Sequence, residues 1–131
     1  MSERLSAYRP QALAVLRIVA ALLFVEAGSV HLFNFPQSPY EMPAEMATLL
    51  TVAGLLEFVG GLLLLVGLLT RPVAFVLCGM MAVAYWGFHF PTAFFPSQNM
   101  GAPAILYCFV FLYLVFAGPG AWSLDGRLGR G

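Results

Sequence analysis

The chain has no lysine, and charged residues of every kind make up only 9% of its 131 residues. A soluble globular domain carries about 25% charged residues, so this chain has too few to cover a soluble surface. Hydrophobic residues account for 61% of the sequence, which predicts an integral membrane protein in contact with a lipid bilayer. Six arginines balance six acidic residues without forming a basic patch, so we expect no nucleic-acid partner.

Cysteine is also scarce. Cys78 and Cys108 form neither a CxxC motif nor a zinc-ligand spacing, and each stands apart among apolar residues. We expect both to be small buried hydrophobic side chains rather than a redox pair. The sequence has no haem motif, and a ligand set of Glu26, Glu57 and His89 lacks the spacing of a metal site. The identity of any cofactor stays open, with a quinone as one candidate.

Four long apolar segments organise the chain, at about residues 12–32, 47–69, 72–90 and 101–117. Each is close to the roughly 20 residues that a helix needs to cross the hydrocarbon core of a bilayer. Helix is the expected form because lipid offers no hydrogen-bond partner to backbone N–H and C=O groups. We therefore predict a single domain over residues 1–131 with an all-α fold, a four-helix transmembrane bundle.

The placement of the arginines predicts the orientation in the membrane. Four crossings put both termini and the turn at residues 70–72 on one side. Five arginines fall on that side: Arg4, Arg9, Arg71, Arg127 and Arg130. The opposite loops contain no arginine but do contain Glu41 and Glu45. By the positive-inside rule, we expect both termini to be cytoplasmic in a bacterial inner membrane, with Arg17 and Arg71 as anchors on that side.

Five ionisable residues interrupt the apolar segments: Arg17, Glu26, His31, Glu57 and His89. A charge near the centre of a bilayer costs at least a few kcal/mol, so such residues often mark a function. Counting the helical rise places Arg17 about 8 Å from the cytoplasmic end of its helix, where it is expected to snorkel toward the interface. The same count places Glu57 near the middle of the bilayer and His31 near the outer surface.

The candidate proton or ligand site consists of Glu26, His31, Glu57, Tyr85 and His89. Tyr85 shares a helix face with His89 and could donate a hydrogen bond to one of the carboxyls. Glu26 lies about half a turn out of phase with Arg17, so the first helix is polar on two faces, one of which should meet another helix or another chain. A simpler interpretation stays open, in which Glu57 is protonated and hydrogen-bonded while both histidines only mark the membrane interface.

Glycines are concentrated on the first two segments. Gly54 and Gly61 share a helix face with Glu57, Gly60 belongs to a second row of small residues, and Gly28 lies on the polar stripe of the first segment. Glycine lets membrane helices approach each other closely. We therefore predict that these four glycines are helix-packing positions.

Four stretches resemble the DoxX family of small membrane proteins. They are FVEAGSVHLFNFP (24–36), LLEFVGGLLLLVGLLTRPVAF (55–75), MAVAYWGFHFP (81–91) and LYCFVFLYLVFAGPGAWSLD (106–125). The combination of E..GG....GL.TR with GPG.WSLD carries the resemblance. It implies a four-helix membrane bundle, of a kind often associated with quinol oxidase or thiosulfate–quinone oxidoreductase subunits and with membrane redox complexes.

Some polar positions of the chain match the family pattern, and others differ from it. The polar positions that match are Arg17, Glu26, Glu57, Arg71, His89 and Asn99. Close relatives tend to have histidine in place of Ala27, lysine in place of His31, and glutamate in place of Met80 and Ala102. These differences remove groups that could move protons or hold a polar ligand, which favours a packing role over independent catalysis.

Three hypotheses for the function follow. The first is a non-catalytic accessory subunit of a bacterial membrane redox or respiratory complex, packed against a larger subunit or another copy of itself. The second is a quinone-linked oxidoreductase component, with a proton-exchanging site near Glu57 and His89. The third is a small-molecule binder or transporter-like bundle. Whether the chain is itself an enzyme stays open.

Overall fold

The computed structural model describes every residue from 1 to 131 and contains seven α-helices and no β-strand. In chain order the helices are α1 Ser2–Ser6, α2 Arg9–Phe33, α3 Ala47–Val66, α4 Thr70–Ala84, α5 Pro96–Asn99, α6 Ala102–Ala117 and α7 Leu124–Arg127. A 3-10 turn, Ala44–Met46, leads into α3. Helix α4 continues through a π-helical turn, Tyr85–His89, and a 3-10 turn, Phe90–Thr92. The predicted all-α fold is confirmed.

Three helical segments are long and apolar enough to cross a membrane: Arg9–Phe33, Ala44–Val66 and Thr70–Thr92. The remaining apolar helix, α6, has 16 residues, which gives it a length of about 24 Å. That is shorter than the hydrocarbon core of a typical bilayer, which is about 30 Å thick. Three long apolar helices and one shorter helix therefore make up a helical membrane bundle.

Two helix boundaries differ from the predicted segments by three residues, and local residues explain both. Helix α2 begins at Arg9, before the first predicted apolar residue, because Pro10 fits the first turn of a helix. Helix α3 ends at Val66 because Gly67 adopts a left-handed conformation with φ +70°. The amide of Gly67 then donates a hydrogen bond to the carbonyl of Leu64, at 3.1 Å.

Helices α2 and α3 pack closely through glycines. A Cβ atom added to Gly28 would lie 2.5 Å from the amide nitrogen of Phe58, and one added to Gly61 would lie 2.9 Å from the amide nitrogen of Val25. Both distances are shorter than real Cβ contacts, so only glycine allows the two backbones to approach this closely. Gly54 lies on the same α2–α3 interface and faces the side chain of His31.

Helix α4 packs against α6, and two contacts join this pair to α2 and α3. A Cβ atom added to Gly60 of α3 would lie 3.2 Å from the side chain of Leu77 on α4. Phe24 of α2 packs edge-on against Tyr107 and Phe111 of α6, with ring centroids 4.9 and 4.7 Å apart. Large apolar side chains remain exposed on the outside of the bundle, as expected for a surface that faces lipid.

The C-terminal segment, residues 118–125, folds back across one end of the bundle, and we call it the C-terminal latch. Arg17 of α2 donates hydrogen bonds to the carbonyls of Pro119, Ala121 (3.3 Å) and Trp122 (3.0 Å) in this latch. The Arg17 side chain is fully buried. The guanidinium of Arg17 therefore lies among carbonyl oxygens inside the protein, because the latch covers it.

Asp125 connects the latch to the turn between α3 and α4. Its carboxylate accepts hydrogen bonds from the amides of Leu69 (2.9 Å) and Thr70 (2.8 Å), which lie at the start of α4. Burial acts to raise the pKa of Asp125, but these amide hydrogen bonds and the charge of Arg130 outweigh that effect. The pKa of Asp125 is therefore below its ordinary value, and the carboxylate stays charged as it caps α4.

Arg71 ties the beginning of α4 to the end of α6. Its Nη1 donates hydrogen bonds to the carbonyls of Val115 and Phe116, at 2.9 and 2.7 Å. These are two of the last carbonyls of α6, which have no partner within the helix. A cation at a helix C-terminus also interacts favourably with the helix dipole. We call this end of the bundle, with Arg17, Arg71 and the latch, the arginine end.

Candidate ligand and proton site

A histidine of α2 and a glutamate of α3 form the only side-chain ion pair of the bundle. Nδ1 of His31 lies 2.7 Å from Oε2 of Glu57. The side chain of Glu57 is 8% exposed and that of His31 is 21% exposed. Gly54 explains the contact, because its missing side chain leaves room for His31: a Cβ atom at position 54 would lie 2.8 Å from the Cβ atom of His31. The sequence placed His31 near the outer surface and did not predict this partner.

Two cavities border the carboxyl of Glu57. The first, which we call the methionine cavity, has a volume of about 320 Å³ and contains Met42, Met46, Met80 and Met81 together with His31 and His89. The second, which we call the Glu26 cavity, has a volume of about 410 Å³ and lies between α2 and α6. Both volumes are in the range of small-molecule sites.

Four residues line both cavities: Glu57, Met81, Ala84 and His89. The two cavities therefore meet at a carboxyl and an imidazole. Their other walls are largely apolar, and the further polar side chains are His31 in the first cavity and Glu26 and Tyr107 in the second. A mostly apolar cavity with a few convergent polar groups is the usual form of a site for an apolar molecule with a polar head.

Glu26 lines the Glu26 cavity with Glu57, His89 and Tyr107. The two acidic residues of the candidate site, Glu26 and Glu57, thus border the same cavity. Glu26 is exposed and forms no hydrogen bond or ion pair within the chain. The second polar face expected on the first helix is therefore present, and it faces a cavity that opens on the outside of the bundle. The sequence did not single out Tyr107.

A small hydrogen-bond network holds His89. Its Nδ1 lies 2.9 Å from the backbone carbonyl oxygen of Asn99. Because that carbonyl can only accept, Nδ1 is the donor, and Nε2 of a neutral His89 is left as an acceptor. The side chain of Asn99 is buried, donates to the carbonyl of Ala93 at 3.0 Å and accepts from the amide of Gly101 at 2.8 Å.

Tyr85 takes part in this network rather than bonding to a carboxyl. Its hydroxyl lies 3.5 Å from Nδ2 of Asn99, a long hydrogen bond in which the amide donates. Tyr85 and His89 are the first and last residues of the π-helical turn that continues α4. Such turns change the direction of the side chains that follow, and they are frequent at functional sites. Here the turn places His89 at the meeting point of the two cavities.

The two cysteines lie together, although the sequence separates them. Sγ of Cys78 on α4 is 3.7 Å from Sγ of Cys108 on α6, and both are free thiols. Both residues are half-buried and pack beside the hydrophobic core. Neither lines the methionine cavity or the Glu26 cavity. The two cysteines are therefore neighbours in the fold, because the packing of α4 on α6 brings them into contact.

Comparison with known proteins assigns the chain to a family. The family model for DoxX matches residues 12–90, which is more than half of the chain and includes Glu26, His31, Glu57 and His89. The chain belongs to the DoxX family. An uncharacterized protein of Haemophilus influenzae is 43% identical over 129 residues, covering 95% of this chain and 96% of the relative.

Two further relatives are described as membrane proteins. The inner membrane protein YqjF of Escherichia coli is 32% identical over 118 residues, covering 88% of this DoxX chain and 91% of its own length. An uncharacterized membrane protein of Mycobacterium tuberculosis is 29% identical over 144 residues, covering 96% of this chain and 86% of its own. No solved structure matches this DoxX protein. Family and relatives together identify a membrane protein with transmembrane helices.

Proposed function

We propose that this DoxX protein binds a quinone-type molecule beside Glu57 and that the His31–Glu57 pair exchanges protons with the head group. One observation carries the proposal. The nearly buried carboxyl of Glu57 contacts His31 at 2.7 Å and stands where two apolar cavities meet, next to His89. Buried ionisable groups inside a membrane bundle are costly, and they are retained where they serve a proton or ligand pathway.

The chemistry of the three side chains suits a quinone head group. A quinone takes up two electrons and two protons when it becomes a quinol, and its two carbonyl oxygens become hydroxyls. A carboxyl and an imidazole in contact share a proton that they can pass to one of these oxygens, and after taking up a proton from water they can pass on the second one. Nε2 of His89 can accept a hydrogen bond from the quinol hydroxyl. We propose that the electrons come from a partner subunit.

Equilibrium binding to the chain in lipid nanodiscs tests this proposal. The ligand is a ubiquinone analogue with a short saturated tail. We expect Glu57→Gln to weaken binding at least about tenfold, because a charge-assisted partner of the head group is lost. Glu41→Gln is the matched control, since Glu41 is an exposed glutamate outside the helices and should not change binding. Equal affinity of wild type and Glu57→Gln, or no binding at all, would refute the proposal.

A second proposal concerns the assembly. We propose that the chain is an accessory subunit of a membrane redox complex and that a larger subunit covers Glu26. Glu26 is exposed in the membrane-crossing part of α2 and has no partner in its own chain. Lipid is an unfavourable environment for a carboxylate, so a hydrogen-bond donor from a neighbouring chain is the expected cover.

Gentle extraction from native membrane tests this second proposal. We expect a redox subunit to co-purify with the wild type and to be lost with Glu26→Leu, while Glu41→Leu retains it. Purification of the wild type as a lone monomer under the same conditions would contradict the assembly. The orientation, with the arginine end in the cytoplasm of the bacterial inner membrane, also stays a proposal. Reporter fusions at either terminus test it, because a cytoplasmic reporter should be active at both.

A further inference from the structure

A third cavity runs as a groove along the outside of α2 and α6, and we call it the α2–α6 groove. Its volume is about 340 Å³. Its lining residues are Leu16, Val19, Ala20, Leu23, Pro103, Leu106, Tyr107 and Val110. None of them is charged. Tyr107, which also lines the Glu26 cavity, carries the one polar side-chain group, so the rest of the groove fits an apolar chain.

The α2–α6 groove adjoins the Glu26 cavity. Leu23, Pro103 and Tyr107 line both of them. From Leu23 the groove extends along α2 to Leu16, a distance of about 10 Å toward the arginine end. A molecule with its head beside Glu57 would therefore find an apolar path that leads from the Glu26 cavity along the surface of the bundle.

A second apolar groove provides a comparison. It lies between α3 and α4, has a volume of about 430 Å³, and includes Leu56, Val59 and Val76 in its lining. It shares no lining residue with the methionine cavity or the Glu26 cavity. The α2–α6 groove thus differs from this α3–α4 groove in its connection to the candidate site and not in its apolar character.

We propose that the α2–α6 groove holds the apolar, isoprenoid-type tail of the ligand whose head lies beside Glu57. This inference rests on the proposed quinone site. Because lipid is as apolar as the groove, the tail is held by close packing and not by the hydrophobic effect. Each packing contact is weak, so the tail should contribute a moderate preference and orient the head.

The test compares two quinones with the same head group, one with a short and one with a long isoprenoid tail. Binding is measured in nanodiscs, and each quinone concentration is expressed as a mole fraction of the lipid, which removes the effect of membrane partitioning. We expect the wild type to prefer the long tail about fivefold, a moderate preference typical of packing contacts. Equal affinity for both tails would overturn the groove proposal and leave the head-group site standing. Failure of both quinones to bind would overturn the head-group site as well.

Two tryptophan variants locate the tail. Val19 lines the α2–α6 groove and is 50% exposed, and Val59 lines the α3–α4 groove and is 51% exposed. We expect Val19→Trp to abolish the preference for the long tail without changing the affinity for the short one. Val59→Trp should behave like the wild type. Retained preference in Val19→Trp, or the same loss in Val59→Trp, would contradict the assignment.

A photoreactive group at the end of the long tail gives a measurement that needs no variant. We expect it to label groove residues of α2 and α6, such as Leu16 and Leu106, and an excess of unlabelled long-tail quinone should suppress the labelling. Labelling of Leu56 or Val76 in the α3–α4 groove instead would place the tail on the wrong side of the bundle and overturn the inference.

Discussion

Arg17 of α2 donates a hydrogen bond of 3.0 Å to the backbone carbonyl of Trp122, a residue 105 positions later in the chain. This contact joins the first membrane helix to the C-terminal latch. A buried guanidinium is tolerated there because three carbonyl oxygens of the latch accept hydrogen bonds from its two terminal nitrogens. The arginine end of the bundle is thus held by polar contacts, whereas the middle is held by glycine and aromatic packing.

The first prediction is that Arg17→Lys destabilises the bundle by about 1–3 kcal/mol. Lysine keeps the charge but cannot reach the carbonyls of Pro119, Ala121 and Trp122 together with a planar fork. Denaturation in mixed micelles measures the free energy of unfolding. Arg9→Lys is the control, because Arg9 is exposed and should change the stability by less than about 0.5 kcal/mol. Equal stability of the two variants would show that the latch contributes little.

The second prediction concerns Asp125. Asp125→Asn should lower the stability by about 1.5–3 kcal/mol, because the amides of Leu69 and Thr70 lose charged acceptors. The pKa of Asp125 is lowered in the folded protein, so its contribution is complete above the ordinary aspartate pKa of about 3.9 and is lost as the pH falls further toward the folded value. Melting temperatures between neutral and acidic pH measure this effect. The Asn variant should lack this part of the acid sensitivity, and an identical pH dependence in both proteins would contradict the role of the carboxylate.

The third prediction compares a glycine in a close helix contact with a glycine that has open space beside it. Gly28→Ala should destabilise the bundle by about 1–3 kcal/mol, because its Cβ atom would meet the backbone of Phe58 at 2.5 Å and backbone cannot move aside cheaply. Gly79→Ala is the matched control, since a Cβ atom there meets nothing within 4 Å. This control should be neutral or stabilising by up to about 1 kcal/mol, because alanine favours helix. Thermal unfolding of both variants in the same detergent measures the difference.

The sequence could predict the helices and the acidic residue at their centre, but not the contacts that complete the site. Hydrophobic length identifies a membrane helix without any knowledge of its neighbours, so the apolar segments and the position of Glu57 in the middle of its helix followed directly. The pairing of His31 with Glu57 depends on the position of α2 along the axis of α3. The close contact at Gly54 sets that position. Residue counting along each helix contains no information on that offset.

The contacts of the C-terminal latch could not be predicted from the sequence for a related reason. Residues 118–125 have no hydrophobic periodicity, and their role depends on hydrogen bonds to α2 and to the α3–α4 turn. The one available signal was the family-like pattern GPG.WSLD, whose last residue is Asp125. The pattern marked the segment but could not say that Asp125 caps α4 or that Arg17 binds the carbonyls before it.

The fourth prediction follows from the contact between Cys78 and Cys108, whose sulfur atoms lie 3.7 Å apart on α4 and α6. A disulfide needs two sulfur atoms at about 2 Å, and the packing of α4 on α6 already brings these two into contact. Mild oxidation with copper phenanthroline in air should therefore form one intramolecular disulfide, with loss of two hydrogen atoms in intact-mass measurement. Cys78→Ser and Cys108→Ser should each prevent it. Free thiols after oxidation, or a disulfide-linked dimer in place of the intramolecular bond, would contradict the packing of α4 on α6, because no other contact in the bundle brings these two residues together.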